Sequence, residues 1–187
     1  MSDIKKWDKY FYDLCEVVAK NSKCLSRQIG SILVRDKSII SSGYNGPPRD
    51  IPHCNQRHLI DPKLMSAYLK VSYDNSKYYH EEVSKCPRQI MGYKSGKGLD
   101  WCVAGHSERN TLINAAREGI STKGTKLYMN CGIPCSPCMI EIVNAGVEEI
   151  IVTKIAYYDI SSEYLLKNSK IKYRLFTHIE GVSNENY

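Results

Sequence analysis

Four residues of this sequence have types and spacings that suggest chemistry: His106, Glu108, Cys135 and Cys138. They lie in the segments H-S-E at 106–108 and P-C-S-P-C at 134–138. One imidazole and two thiolates are ligands that zinc uses in catalytic sites, where three protein ligands leave a fourth position for water. A carboxylate that is not itself a ligand can move protons to and from that water. The pattern therefore predicts a hydrolytic zinc site, with Glu108 as its general acid and base.

Both halves of this motif are expected at the start of a helix. We predict helices over 107–118 and 137–145, ended by Gly119 and Gly146, with a strand over 125–130 between them. Cysteines three apart on a first helical turn face the same way, and the positive end of the helix dipole favours the thiolate form. The prolines at 134 and 137 restrict the turn that leads into the second helix.

Other kinds of site share parts of this motif. A C-x-x-C pair alone is also typical of structural zinc sites and redox pairs, and H-x-E alone carries little information. The two together, on consecutive helices separated by a strand, favour a catalytic site over a closed structural one. Cys131 could close the site as a fourth ligand, but we expect it to be a buried thiol at a strand end.

The remaining pattern predicts an α/β domain with helices packed on a mixed sheet. Apolar spacing predicts helices over 3–21, 62–71 and 161–168, and strands over 31–34, 38–42, 149–153 and 171–176. The first two strands form a hairpin by their spacing, and regular structure breaks at 43–48. We expect a single domain over 1–187, in which about 49–101 is an insertion.

Composition excludes several classes of function. The chain has 187 residues, 42% hydrophobic and 25% charged, and no apolar run approaches the roughly 20 residues of a membrane helix. The N-terminal segment has no secretory signal pattern, so we expect a cytoplasmic protein without membrane partners. The formal charge of +6 is scattered and not gathered in a stripe, which fits an anionic small molecule better than nucleic acid. In a reducing compartment the eight cysteines indicate metal ligands or core thiols.

The motifs together resemble deoxycytidylate (dCMP) deaminases. H-x-E with P-C-x-x-C is typical of zinc-dependent nucleobase deaminases. The resemblance also rests on G-Y-N-G-P-P at 43–48, H-C at 53–54 and C-G-I at 131–133, and it runs from about 23 to about 176. It implies a three-layer, cytidine-deaminase-like fold with a five-stranded mixed sheet flanked by helices. It also implies hydrolysis of dCMP to dUMP and ammonia, which would supply dUMP for dTTP synthesis. The family usually has alanine where this chain has Ser107, and we expect the serine to be tolerated.

The same resemblance implies further roles. Asn45 would contact the sugar, although a turn asparagine is the simpler alternative. The loop of Gly43, Tyr44, Asn45 and Gly46 would bind a regulatory nucleotide, and Arg117 would take part in regulation at a subunit interface; an exposed helical arginine is the alternative. Family members of this type are commonly homohexamers, activated by dCTP with magnesium and inhibited by dTTP.

A 5′-phosphate on the substrate must be recognised by cations or by helix N-termini. Arg27 and Lys154 are candidates for this role, with Tyr157 nearby. Solvated surface charges are the more common explanation for such residues.

Four separate cysteines predict a second, structural zinc. Cys24 and Cys54 fall where the resembling family places ligands of a non-catalytic zinc, and Cys86 and Cys102 lie in the insertion. Four thiolates would form a closed tetrahedral site, and its binding free energy would stabilise a segment poor in apolar residues. His53, His58 or His80 could replace one sulfur, and scattered buried thiols are the alternative.

Rival functions differ in the features they require. A tRNA adenosine deaminase or a guanine deaminase would share the zinc ligands but would not need the long insertion or the G-Y-N-G-P-P loop. A non-catalytic zinc-binding regulatory module would have no use for the carboxylate of Glu108.

Overall fold

The chain divides into two compact units in this computed structural model, which describes residues 3–74, 85–94 and 96–177. The first unit consists of the described residues up to Ser22, of Ile29–Asn45, and of the described residues from His106 onward. The second consists of Lys23–Gln28 and the described residues between Gly46 and Gly105. The segment predicted as an insertion lies in the second unit.

The first unit alternates helices and strands after an opening helix and hairpin. Its helices are α1 (Asp3–Ala19), α5 (Ser107–Arg117), α6 (Ser136–Asn144) and α7 (Ile160–Asn168). Its strands are β1 (Gly30–Arg35), β2 (Ser38–Tyr44), β3 (Lys126–Met129), β4 (Glu149–Val152) and β5 (Lys172–Leu175).

The five strands form one mixed sheet in the order β2-β1-β3-β4-β5. β1 is antiparallel to both β2 and β3, whereas β3, β4 and β5 run parallel to one another. Parallel neighbours need a crossover connection, and α6 and α7 supply these between β3, β4 and β5. The predicted five-stranded mixed sheet flanked by helices is therefore confirmed.

Alternating side chains of the strands build a separate core on each face of the sheet. On β1, Ile32 and Val34 pack with Phe11 and Cys15 of α1, while Leu33 faces the other side. On that other side, residues of β3 and β4 pack with α5, α6 and α7 through Ala115, Met139, Ile142 and Leu166. Helices on both faces of one sheet give the three layers that the resemblance implied.

A buried ion pair joins α1 to β5. Asp8 is 1% exposed, and its carboxylate accepts hydrogen bonds from Arg174 Nη1 at 2.6 Å, Arg174 Nη2 at 3.0 Å and the Thr177 amide at 2.9 Å. Burial opposes ionisation of Asp8, but the bonds from Arg174 and Thr177 outweigh it and lower the pKa of the carboxyl. The helix is thus tied to the far edge of the sheet by charge as well as by apolar packing.

Most predicted boundaries agree with the structure to within two residues. The hairpin turns at Asp36 and Lys37, whose φ angles of 51° and 62° are those of a two-residue turn with left-handed residues. The predicted break at 43–48 was wrong for its first two residues, because β2 continues through Gly43 and Tyr44. Gly43 pairs with Ser31 and Tyr44 pairs with Gly30. This pairing with β1 outweighs the tendency of glycine to end a strand.

The second unit contains short helices around a small core. These are α2 (Cys54–Arg57), α3 (Pro62–Asp74), α4 (Pro87–Ile90) and a 3-10 turn (Leu99–Trp101). Leu64, Tyr68 and Ile90 are buried together, and the His58 ring stacks on Tyr68 at 5.4 Å. The predicted helix over 62–71 is confirmed and extends to Asp74. Within the described ranges of both units, no helix combines the length and apolarity needed to cross a membrane.

Candidate active site

The structure brings together the four residues that the motif singled out. His106 Nδ1 lies 3.4 Å from both Cys135 Sγ and Cys138 Sγ, and the two sulfurs are 3.5 Å apart. Zinc held tetrahedrally at its usual bond lengths separates sulfur from sulfur by roughly 3.8 Å and sulfur from nitrogen by roughly 3.6 Å. The observed triangle therefore fits zinc. Among the described residues, these atoms and a Glu108 oxygen form the group of metal-ligating atoms that lie within 4.8 Å of one another.

Burial of the four residues is unequal. Glu108 is 5% exposed, Cys135 8% and Cys138 1%, whereas the side chain of His106 is 44% exposed. Glu108 Oε1 lies 3.7 Å from His106 Nδ1. The carboxylate thus lies beside the ligands within the protein, and solvent reaches the site from the imidazole side.

The four side chains of the site shift one another's pKa. Hydrogen bonding to Cys135, and then to Glu108, raises the pKa of His106 to about 10. The hydrogen bond from Cys138, followed by that from His106, lowers the pKa of Cys135 to about 5, while the pKa of Cys138 is raised. Burial opposes ionisation of Glu108, yet the bond from His106 keeps its pKa below the ordinary value. The imidazolium supplies the positive charge that a divalent ion would supply when bound, and metal binding would release that proton.

Two helix N-termini place the ligands. His106 is the N-cap of α5 and Cys135 is the N-cap of α6, both with extended backbone. Glu108 and Cys138 lie in the first turn of their helices. The positive ends of two helix dipoles therefore lie at the site and favour the carboxylate and the thiolates.

Polar contacts hold these two helices in place. Arg109 of α5 forms a two-fold ion pair with Glu141 of α6, with Nε at 3.0 Å and Nη2 at 2.9 Å from the carboxylate oxygens. Asp159 accepts from the Ser136 amide at 3.0 Å and from the Ser162 amide at 2.7 Å, so one carboxylate caps both α6 and α7. The sequence reasoning missed these residues. The capping-box pattern of Asp159 and Ser162 was the available signal.

Helix α5 is also attached to the edge strand β2. Asn110 Nδ2 donates to the Tyr44 carbonyl at 2.8 Å, and Asn114 Nδ2 donates to the Ser42 carbonyl at 2.8 Å. Gly43 lies between them in close approach, because a Cβ there would come within 2.4 Å of the Thr111 amide nitrogen. Glycine at 43 is thus explained by packing against α5.

The model of the family described as the cytidine and deoxycytidylate deaminase zinc-binding region matches residues 5–154. The chain belongs to this family. The match spans both the metal-ligand triangle and Glu108, so the predicted resemblance is confirmed.

Relatives within the deaminase family share about a quarter of their aligned residues with this chain. The deoxycytidylate deaminase of Schizosaccharomyces pombe is 28% identical over 91% of this chain and 44% of its own length. That of Saccharomyces cerevisiae is 29% identical over 93% of this chain and 46% of its own length. The chain thus spans less than half the length of these two relatives.

A solved structure confirms the fold. The dCMP deaminase of cyanophage S-TIM5, crystallised with dCMP and dUMP, superposes with a TM-score of 0.61 over 94% of this chain and 98% of that one. The sequence identity of this pair is 18%. The shared architecture is therefore the deaminase fold.

Two of the residues predicted to bind nucleotide lie at the end of β2 or directly after it. Asn45 is buried, and its Oδ1 accepts from the Ile29 amide at 2.8 Å and from Ser22 Oγ at 2.9 Å. Tyr44 is 43% exposed at the end of β2. Gly46 lies in the second unit, where its amide and carbonyl pair with Gly105.

The other predicted nucleotide contacts are spread over the chain. Arg117 is exposed in the last turn of α5, and Arg27 is exposed in the second unit. Tyr157 packs against the core, with Lys167 Nζ 5.7 Å from its ring centre. Lys154 is exposed, and its backbone forms an isolated parallel β-bridge with the backbone of Gly132. The roles assigned to these residues stay predictions.

The remaining cysteines fall into two groups. Cys15 is a buried residue of α1, and its thiol donates to the Tyr128 carbonyl. Cys131 packs against the core beyond β3 and lies outside the ligand group. The four cysteines predicted for a second zinc all lie in the second unit: Cys24, Cys54, Cys86 and Cys102. His80, a suggested substitute ligand, lies outside the described residues.

Proposed function

We propose that this protein catalyses zinc-dependent hydrolysis of dCMP to dUMP and ammonia. The observation that carries this proposal is the triangle of His106, Cys135 and Cys138 with the buried Glu108 beside it. The relatives from the two yeasts, both named deoxycytidylate deaminase, support dCMP as the substrate.

The residues would divide the work as follows. His106, Cys135 and Cys138 would hold zinc, which supplies Lewis acidity that makes water a nucleophile at neutral pH. Glu108 would accept a proton from the attacking water and deliver it to the ring nitrogen next to the reacting carbon. It would then accept the proton of the hydroxyl that is now on that carbon and pass it to the departing amine. Water thus adds its oxygen to the carbon that loses ammonia, and the product is the keto base.

Glu108 gives the direct test. Glu108→Gln keeps the size and hydrogen-bonding capacity of the side chain but removes its ability to carry a proton. We expect kcat for ammonia release from dCMP to fall by roughly 10²- to 10⁴-fold. Zinc content, measured by mass spectrometry of the metal, should stay at the parent value because Glu108 is not a ligand. A variant as active as its parent would refute the assigned mechanism.

The substrate panel separates the rival functions. Cytidine, dCMP, dCTP, guanine and a tRNA containing the target adenosine should be compared in one ammonia-release assay. A preference for dCMP supports the proposal, and a preference for guanine or tRNA assigns the site to another deaminase. If zinc is bound but no substrate releases ammonia, the protein is a non-catalytic zinc-binding module.

Asn45 is the proposed sugar contact. Its Oδ1 is engaged by the Ile29 amide and Ser22, so the orientation of its carboxamide is fixed. The preceding carbonyl, that of Tyr44, accepts from Asn110 on the catalytic helix. Asn45→Ala should therefore raise KM for dCMP more than it lowers kcat. Arg27 and Lys154 are the proposed cations for the nucleotide phosphate, and Tyr157 is a further proposed substrate contact.

Regulation and assembly follow from the family resemblance. We propose that the protein is a homohexamer that supplies dUMP for dTTP synthesis, activated by dCTP with magnesium and inhibited by dTTP. The exposed Tyr44 and Arg117 would take part in this response. Sedimentation tests the assembly, and dCMP saturation curves with and without dCTP, magnesium and dTTP test the regulation.

We propose a second, structural zinc whose ligands are Cys24, Cys54, Cys86 and Cys102. Cys54 and Cys86 are buried. Burial, and then the nearby thiols of Cys86, Cys102 and Cys24, raise the pKa of Cys54 to about 11. The second unit has a small apolar core in its described part, and small cores commonly need a metal or disulfide for stability.

Metal content tests this second site. We expect two zinc ions per chain in the parent protein and one in Cys86→Ser or Cys102→Ser. Cys131→Ser is the matched control, since Cys131 lies outside both ligand sets, and it should retain both ions. If the parent binds one zinc ion and both serine variants fold normally, the proposal of a second zinc site is refuted.

A further inference from the structure

Ser107 is a buried hydroxyl between two residues of the site. It is the first residue of α5, it lies between His106 and Glu108, and it is 1% exposed. A hydroxyl taken out of water costs free energy unless a partner replaces the lost hydrogen bonds. The partner of Ser107 therefore indicates what the hydroxyl does.

The partner is the carboxylate of Glu108. Ser107 Oγ lies 3.0 Å from Glu108 Oε2. An ionised carboxylate only accepts, so the serine is the donor, and hydrogen bonds to charged acceptors are stronger than neutral ones. This contact joins neighbouring residues whose side chains both point into the protein.

The two oxygens of Glu108 consequently have different surroundings. Oε2 is held by Ser107, whereas Oε1 lies 3.7 Å from His106 Nδ1, on the side of the metal ligands. A glutamate side chain has three rotatable bonds, and one fixed oxygen removes most of that freedom. The oxygen that faces the ligands is then kept available for proton transfer.

We propose that Ser107 is a positioning residue, whose hydroxyl holds Glu108 Oε2 so that Oε1 faces the reacting water. The inference rests on the proposed function, because it assigns a task within that reaction. Ser107 need not touch the substrate or the metal for this purpose. It acts through Glu108 alone.

The backbone of Ser107 has a separate, structural role. Its carbonyl accepts from Thr111 Oγ1 at 2.8 Å. Ser107→Ala leaves that carbonyl in place and removes the hydroxyl alone. The substitution creates a smaller side chain in a buried position, so we expect the variant to fold.

Ser107→Ala should lower kcat for dCMP about 10-fold while KM stays within about twofold of the parent. A 10-fold loss corresponds to about 1.4 kcal/mol of transition-state stabilisation. Zinc content should equal that of the parent. Loss of kcat with unchanged KM is the result expected when the proton carrier is misplaced and the binding contacts are intact.

Ser31→Ala is the matched control. Ser31 is equally buried, and its described hydrogen bonds go to Gly43 and to Thr111 Oγ1, at 3.5 and 2.6 Å. Its removal should lower the melting temperature and should lower kcat less than Ser107→Ala does, because its bond reaches Thr111 of α5 and not Glu108. A general response to losing a buried hydroxyl would instead affect both variants alike.

The Glu108→Gln background gives the decisive comparison. A glutamine cannot carry the proton, so Ser107→Ala should cause no further loss of residual kcat there. Equal losses in the two backgrounds, a kcat within twofold of the parent, or a lost zinc ion would each overturn the inference. A parent protein inactive on dCMP would instead overturn the proposed function, and this inference with it.

Discussion

Gly43→Ala should displace the catalytic helix without touching any residue that performs chemistry. A Cβ at residue 43 would lie 2.4 Å from the Thr111 amide nitrogen, 2.6 Å from Thr111 Oγ1 and 2.8 Å from the Asn110 carbonyl carbon. Ordinary contact begins at 3.4 Å, so β2 and α5 must separate by about 1 Å. Two of these three atoms belong to the backbone of α5, and rotation of a side chain cannot relieve the contact.

The magnitude follows from this separation. Overpacking of a well-packed interface typically costs about 1–3 kcal/mol. For a chain of this size, 1 kcal/mol shifts the melting temperature by roughly 2–4 °C. Because α5 carries Glu108, a shift of about 1 Å relative to α6 can lower kcat by roughly 10²-fold.

Gly46→Ala, three residues further along the chain, is the matched control. A Cβ there would meet no atom within 4 Å. We expect its melting temperature and kcat to match the parent, measured by calorimetry and by dUMP formation. Indistinguishable behaviour of the two alanine variants would refute the packing explanation for Gly43. A changed response to dCTP in Gly46→Ala alone would support the proposed regulatory loop.

Two other carboxylates give further predictions. Asp159→Ala should lower the free energy of unfolding by about 1–2 kcal/mol and weaken zinc retention against a chelator, because Asp159 caps both α6 and α7. Asp159→Asn keeps an acceptor oxygen and should lose less stability. Equal losses in the two variants would contradict the capping role. Asp8→Asn should cost about 2 kcal/mol at pH 7, because Arg174 loses its charge-assisted hydrogen bonds to Asp8 but keeps its ion pair with Glu149. Since the pKa of Asp8 is lowered in the folded state, its stabilisation is complete above about pH 4 and is lost as the pH falls further. Urea titrations of parent and Asp8→Asn should therefore converge in acid, and a constant difference would argue against an ionised Asp8.

The features that could be predicted from the sequence are those encoded by neighbouring residues. Short, nearly continuous apolar runs indicated the strands β1, β3 and β4. Glycines at 119 and 146 marked helix ends, where both have positive φ. The metal ligands could be predicted from the sequence for the same reason. Each half of the site is a short segment at one helix start, so local spacing identifies its members.

Tertiary contacts account for what the sequence did not reveal. Gly43 was assigned to a loop, since the sequence does not show that α5 passes within contact distance of its backbone. The cap pattern of Asp159 with Ser162 is local, but the bond from its second oxygen to Ser136 spans 23 residues. The Ser107 hydroxyl was expected only to be tolerated, because its bond to Glu108 depends on how both side chains are packed.

Charge balance explains why both halves of the site begin helices. Two thiolates and the carboxylate of Glu108 carry three negative charges, and a zinc ion neutralises two of them. Each helix N-terminus contributes the equivalent of roughly half a positive charge, and α5 and α6 both present theirs here. The two helix ends would thereby offset the remaining negative charge. This leaves His106, whose side chain is 44% exposed, as the side from which solvent reaches the buried Glu108.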